Sequence, residues 1–288
     1  IRYDSYDQKA KTDALHARNN IFGHEVKSRS DSQASMKVGL IRDISGDMSL
    51  FLQYAEGYRN PNFDEAYNTY TNLAQMYTII PNPNITAETS EGFEIGLRGS
   101  LSNTSWSLAY YKNDYKDFIA YEYLFPPIQG VLQVQYQNLG SVKTNGIEFE
   151  SKTVFNDNFS ASFGVSLNEG REDDGYLDSL SPDHAKISLS WISDSGRLRW
   201  NTISTLMESS RSTLSPVCGR SGVCSPAQET AGRVTLDTYL NFDLTEKVNI
   251  KLGVRNLTDV KYWDYPTIAG QAAGTADEYL MPGRNMSF

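Results

Sequence analysis

Hydrophobic and polar residues alternate along most of this chain. In Phe159-Ser160-Ala161-Ser162-Phe163-Gly164-Val165-Ser166-Leu167 every odd position is apolar and every even one small or polar. Ala185, Ile187, Leu189 and Trp191 alternate with Lys186, Ser188 and Ser190, and Val248, Ile250, Leu252 and Val254 with Asn249, Lys251, Gly253 and Arg255. Val234, Leu236, Leu240 and Phe242 share one face while Arg233, Asp237 and Asn241 take the other. A period of two means that successive side chains point to opposite sides of the backbone, so each stretch predicts a strand with one apolar and one polar face.

The connections between strands alternate too. Tight turns are predicted near Ser45-Gly46, Ser102-Asn103, Asn156-Asp157-Asn158, Asp194-Ser195-Gly196 and Thr245-Glu246. Between them lie long polar segments at 9–32, 59–87, 119–135, 169–183, 208–231 and 257–278. The strands are then twelve, near 1–8, 33–43, 47–58, 88–101, 104–118, 136–153, 158–168, 184–193, 197–207, 232–243, 247–256 and 279–288. Short turns on one side and long loops on the other are the pattern of a transmembrane antiparallel β-barrel. A soluble sandwich or propeller rarely sustains a long structureless loop at every second connection. Glu94, Arg98, Glu148, Glu150, Lys251 and Arg255, on the face away from the apolar stripe, suit a wet lumen and would be costly in a dry core.

No apolar run approaches the roughly 20 residues of a spanning helix, so a helical membrane protein is excluded and a barrel is not. The net charge of −9, from 26 basic and 35 acidic residues, argues against a nucleic-acid partner. Glu169, Glu172, Asp173, Asp174, Asp178 and Asp183 read as a solvated acidic loop. Cys218 and Cys224, separated by five residues in a Gly/Pro/Ser-rich segment, suit a small disulfide staple in an oxidising compartment better than a metal site. Trp106, Tyr110, Tyr111, Tyr115, Trp191, Trp200, Tyr262, Trp263 and Tyr265 gather toward strand ends, as interfacial girdles would. The chain opens at Ile1, already in a strand, without Met or signal peptide, and reads as part of a longer protein.

Three blocks carry a specific resemblance. Tyr54-Ala55-Glu56-Gly57-Tyr58-Arg59-Asn60-Pro61-Asn62-Phe63-Asp64-Glu65 is similar to the Gly-Phe-Arg-Ala-Pro box of TonB-dependent haem and haemoglobin receptors. Ile80-Pro81-Asn82-Pro83-Asn84-Ile85-Thr86-Ala87-Glu88-Thr89-Ser90 resembles their Asn-Pro-Asn-Leu-x-x-Glu box, with Ile85 in place of Leu. Asn256-Leu257-Thr258-Asp259-Val260-Lys261-Tyr262-Trp263, with Pro282-Gly283-Arg284-Asn285 and the terminal Phe288, resembles the closing signature of TonB-dependent receptors generally.

This resemblance implies that residues 1–288 are the C-terminal part of a plugged barrel of about 22 strands, in the outer membrane of a Gram-negative bacterium. The plug and the TonB box lie outside the chain. It further implies active import of haem, taken from haemoglobin or another haem protein, driven by the TonB complex. Haem would then be cargo, and no prosthetic group is implied. Three alternatives remain: the same machine carrying a ferric siderophore, a passive pore or adhesin, and a barrel that closes on its own twelve strands. An enzyme would need a nucleophile beside a His at the rim; His184 next to Asp183 is the weak candidate, and no motif surrounds a Ser.

In the family, a loop residue between the two boxes, commonly His, is an axial ligand to haem iron. Here none of the three histidines, His16, His24 and His184, lies between them. Tyr67, Tyr70 and Tyr77, with Met76, are the candidates for ligand contact, because a phenolate is a hard oxygen donor for ferric iron. The same tyrosines could equally pack the loop. Arg59, Asn60 and Pro61, following Tyr58, and Asn82, Pro83 and Asn84 are expected to shape the loop's exit and return, since proline ends ladder pairing and biases its predecessor to extended backbone. His16 and His24 read as solvated loop histidines, and His184 as structural.

Overall fold

In the computed structural model the alternating segments become one long antiparallel meander. The structure describes the chain except residues 139, 173, 174, 178, 179, 211–215, 219–222, 269, 270 and 275, so Asp173, Asp174 and Asp178 of the acidic segment lie outside the described residues. In chain order the strands are β1 (Arg2–Gln8), β2 (Arg29–Ser35), β3 (Lys37–Ser45), β4 (Met48–Arg59), β5 (Tyr70–Asn72), β6 (Tyr77–Ile80), β7 (Glu88–Leu101), β8 (Thr104–Lys116), β9 (Ile119–Ile128) and β10 (Val131–Asn138). They continue with β11 (Ser141–Val154), β12 (Phe159–Glu172), β13 (Gly175–Tyr176), β14 (His184–Ile192), β15 (Leu198–Met207), β16 (Val217–Cys218), β17 (Cys224–Ser225), β18 (Arg233–Thr245), β19 (Val248–Arg255) and β20 (Asn285–Ser287). Short helices α1 (Ala14–Asn19), α2 (Phe63–Tyr67) and α3 (Tyr265–Ile268) lie in the long connections. Among the described residues no helix is long and apolar enough to cross a membrane.

The wall runs β3-β4-β7-β8-β11-β12-β14-β15-β18-β19-β20, and β13 adds to β12, making a 12-stranded sheet. It is an open wall: β3 and β20 are its two ends and do not meet. Tight turns join its strands at one rim where the sequence predicts them, Ser102 turning in a left-handed conformation with φ 55°. One face is apolar. Leu52, Ile95, Tyr110, Ile147 and Leu167 are successive cross-strand partners on β4, β7, β8, β11 and β12, and Ile95, Tyr110, Ile147 and Leu167 are each exposed. Large apolar side chains exposed in rows on a sheet are what a lipid-facing barrel surface requires. The other face is polar: Ser49, Arg98, Ser107, Glu150, Gly164 and Lys186 form one registered row and contribute to a concavity of about 770 Å³.

Several boundaries differ from the sequence expectation. The first expected strand, 1–8, forms as β1 but pairs only with β2, outside the wall sheet. The expected strand 33–43 is interrupted at Met36, whose N–H donates to the Glu56 carboxylate at 3.0 Å while its carbonyl accepts from Glu56 N at 2.8 Å. β12 extends to Glu172, so Glu169 and Glu172 belong to a strand and not to a loop. The expected strand 136–153 is two strands, β10 and β11, and segments 59–87 and 119–135, expected as loops, contain the four-stranded sheet β5-β6-β10-β9. The last expected strand, 279–288, shrinks to β20.

The closing block folds as a lock at the end of β19. Asn256 is left-handed with φ 50°, and its side chain accepts from Val260 N at 2.9 Å and donates to Val260 O at 2.8 Å. Asp237 accepts from Asn256 N at 2.8 Å, and Asp259 accepts from Arg284 N at 2.7 Å. The Arg233 guanidinium lies 4.3 Å from the Tyr262 ring centroid and pairs with Asp264 at 3.0 Å. These contacts tie the last long loop to the rim.

Candidate functional site

At the rim opposite the tight turns, the two sequence boxes meet. Arg59 and Glu88 are the terminal cross-strand pair of β4 and β7. Arg59 donates through Nη1 to both oxygens of Glu65, at 2.8 and 2.9 Å, and through Nη2 to Glu88 Oε2 at 2.9 Å. Glu88 Oε2 also accepts from Ile119 N at 3.2 Å, which brings in the start of β9. The planar guanidinium fork suits this double engagement.

Local sequence explains why Glu65 is there. Pro61 has no N–H to offer a ladder, so pairing stops, and Asn62 starts α2 as its N-cap. The Asn62 side chain accepts from Glu65 N at 2.9 Å while Glu65 Oε2 accepts from Asn62 N at 2.8 Å, a reciprocal capping box. Glu65 therefore both caps the helix and ties it to Arg59. Asn60 donates to Pro61 O at 3.3 Å, and the Tyr58 ring packs against Tyr6 at 6.0 Å.

The return of the loop is equally fixed. Pro61 and Pro81 are fully buried, and their carbonyls accept from Gln8 Nε2 at 3.0 Å and Gln135 Nε2 at 2.9 Å. Asn82 donates to Tyr136 O at 2.8 Å and accepts from Asn84 N at 3.0 Å, so Asn82-Pro83-Asn84 turns against β10. Beneath lies a small apolar core of Ala66, Tyr67, Ile85 and Ile119, joined by Ala10, Val26 and Tyr136.

The structure separates the tyrosine candidates. Tyr67 is 6% exposed in that core, its hydroxyl 3.5 Å from Gln8 O, and burial raises its pKa. Tyr70 is 44% exposed and Met76 43% exposed, at opposite ends of the β5–β6 hairpin. Tyr77 is half-buried, with its ring 6.0 Å from that of Tyr70. Tyr70, Met76 and Tyr77 thus share one hairpin, while Tyr67 points inward.

His16 and His24 are not the solvated loop residues the sequence suggests. Asp13 caps α1 by accepting from His16 N at 2.8 Å, and His16 Nδ1 lies 3.2 Å from Thr69 Oγ1 of the box loop. His24 Nε2 lies 3.2 Å from Gln133 Nε2 on β10, and Asn20 brackets the His24 backbone by accepting from its N–H and donating to its carbonyl. Burial lowers the His24 pKa. A cavity of about 280 Å³ separates α1 from α2, lined in part by Lys11, His16, Phe63 and Thr69. The approach of this loop to the boxes depends on β1–β2 pairing at long range. His184 sits in the wall, Nδ1 3.4 Å from Pro182 O.

Exposed aromatics mark the β9–β10 hairpin: Tyr121, Tyr123 and Phe125 are 44%, 58% and 57% exposed along β9, the edge strand of its sheet. Elsewhere, the backbone sets Cys218 opposite Cys224 in the β16–β17 ladder, and no described cysteine is free.

Residues 1–257 match the family model described as TonB dependent receptor-like, beta-barrel. The chain belongs to that family. It is a wall of a Gram-negative outer-membrane barrel, and the family is one of receptors and transporters. It is similar over 100% of its length, at 23% identity, to the hemoglobin-haptoglobin utilization protein B of Neisseria meningitidis, of which it covers 41%. It is 31% identical, over 46% of its length, to the hemoglobin and hemoglobin-haptoglobin-binding protein B of Haemophilus influenzae, covering 13% of that protein. The chain thus spans about two-fifths of the first relative's length. In fold it resembles the FrpB iron transporter of Neisseria meningitidis, with TM-score 0.69 and 17% identity over 90% of this chain and 39% of the transporter.

Proposed function

We propose that this chain is the barrel portion of a receptor that takes haem from a haemoglobin-type carrier and imports it across the outer membrane. The observation that carries this reading is similarity along the whole chain to a relative named for haemoglobin–haptoglobin utilization. The Arg59–Glu88 junction supports it, because it joins the two boxes by which the sequence resembles haem receptors. On this reading the missing wall and a plug complete a barrel of about 22 strands, and the TonB complex supplies the energy through the part of the receptor outside this chain.

The loop sheet supports a division of labour. Its aromatic edge on β9 suits contact with a carrier protein, since exposed rings bury large area at low entropic cost. The β5–β6 hairpin suits the haem itself. Tyr70 is the favoured oxygen donor, being exposed where Tyr67 is committed to the core as a neutral phenol. Tyr77 stands beside it and Met76 supplies apolar contact.

The test is a haem titration of the complete receptor in detergent, following the Soret band. A saturable band near one haem per protein is expected, shifted by Tyr70→Phe and unmoved by Tyr67→Phe. A second reading, uptake of a ferric siderophore, is favoured by the absence of His between the boxes and by the fold of the ferric enterobactin receptor of Pseudomonas aeruginosa, with TM-score 0.64 and 17% identity, covering 91% of this chain and 40% of that receptor. No haem band, with a ferric siderophore binding instead, would establish that second reading.

A further inference from the structure

The lipid-facing side of the wall changes character abruptly toward the loops. Two residues beyond the apolar row of Leu52, Ile95, Tyr110, Ile147 and Leu167 comes the registered row Tyr54, Phe93, Lys112, Asn145 and Glu169. Two residues further comes Glu56, Glu91, Asp114, Lys143 and Arg171, still on the same face. The step from hydrocarbon-compatible to charged surface takes about 13 Å along the strands, the depth of an interfacial zone.

Within that last row, Lys143 on β11 and Arg171 on β12 are direct cross-strand partners. Like charges set opposite one another destabilise an antiparallel pair. The neighbouring acids relieve this only in part. Glu169 pairs with Arg171 at 2.8 Å, Asp114 turns to Lys112 of its own strand at 3.2 Å, and Glu91 takes Lys116 at 3.1 Å. Lys143 has no ion-pair partner among the described residues. The Arg171 guanidinium is held against the Tyr176 ring, 4.8 Å from its centroid, by the β12–β13 pairing. It nevertheless keeps 60% side-chain exposure, and Lys112 keeps 51%.

We propose that Lys143 and Arg171, assisted by Lys112, bind the phosphate of an outer-leaflet lipid headgroup on the membrane side of the barrel. A phosphate between the two cations removes their mutual repulsion. It offers its oxygens to the planar guanidinium and the ammonium as charge-assisted hydrogen bonds. The apolar row below receives the acyl chains, so Tyr110, Ile147 and Leu167 hold the lipid while the cations hold its head. The interspersed Glu169 and Asp114 keep the local charge low. The site therefore depends on both contacts acting together and gains little from an anion free in solution. Removing two cations that attract a charged headgroup near the membrane surface is expected to weaken binding roughly thirtyfold.

The experiment uses the complete receptor purified in detergent and stripped of lipid. It is titrated with a diphosphorylated glycolipid (lipid A), with the same lipid lacking its phosphates, and with inorganic phosphate. Thermal unfolding and native mass spectrometry read the result. The phosphorylated lipid is expected to raise Tm and to remain bound at one or more defined sites, at least tenfold more tightly than its dephosphorylated form. Lys143→Gln with Arg171→Gln should abolish that preference, and Lys143→Gln alone should reduce it, while Lys247→Gln at the opposite rim leaves it intact. Equal binding of the two lipids, or a preference that survives in both variants, overturns the proposal. Equivalent stabilisation by inorganic phosphate overturns the lipid assignment.

Discussion

Arg59 and Glu88 close the mouth of the β4–β7 pair at 2.9 Å, and the same guanidinium grips Glu65 through both carboxylate oxygens. One side chain thus fixes the exit, the first helix and the return of a loop almost thirty residues long. Arg59→Ala leaves two carboxylates, 11% and 12% exposed, without their counter-ion. The expected cost is about 1–3 kcal/mol, below that of a fully buried pair because Arg59 is itself partly solvated. It should show as faster proteolysis within 59–87 while the wall stays intact. Arg59→Lys keeps the charge and loses the fork, so it should fall between the two. Cleavage rates equal to the wild type in Arg59→Ala would refute the role.

The β9 edge carries a second prediction. If Tyr121, Tyr123 and Phe125 contact a carrier protein, changing all three to Ser should weaken haemoglobin binding by at least tenfold, as loss of an aromatic cluster does at other interfaces. Free haem should bind the variant as it binds the parent. Parallel loss of both activities would mean that the hairpin supports the haem site itself, and unchanged haemoglobin affinity would remove it from the interface.

Period-two alternation and alternating loop lengths were enough to read the wall, because one face is set by lipid and the other by a wet lumen. They were not enough to read the loop sheet. Val131 to Val134 are buried without alternation, being covered on both faces, and Pro126-Pro127 lie in β9, an edge strand, where proline is tolerated. β5 and β6 are too short to signal themselves and exist by pairing with each other and with β10. At the site, the motifs located Arg59 and Glu88, but their contact follows from β4–β7 register. The inward turn of Tyr67 follows from α2, whose Asn62–Glu65 box was present in the sequence and unread. His16 and His24 were misread because their partners, Thr69 and Gln133, are 53 and 109 residues away.

The cross-strand register of Cys218 and Cys224 leads to a chemical prediction. Thiol titration of the denatured, unreduced protein should find no free thiol, and reduction should release two. A loop this short restricts the unfolded chain little, so the loss of stability should stay near or below about 3 kcal/mol and remain within segment 208–231. Two thiols before reduction would rule the staple out.

His24 provides the last prediction, in pH. Burial holds its pKa below the ordinary 6.5, and its Nε2 meets the Gln133 amide nitrogen at 3.2 Å, a contact in which the neutral ring accepts. The unfolded loop therefore takes up the proton first. Loop stability is complete above about pH 6.5 and declines as pH falls below it toward the depressed folded value. The protection of β10 amides, taken as the ratio of intrinsic to observed exchange rate, should accordingly fall between pH 7 and 5. His24→Gln removes the titrating group and should flatten that dependence while leaving the Asn20 bracket, which is made to the backbone. The same acid-induced loss of protection in His24→Gln would assign it to another group.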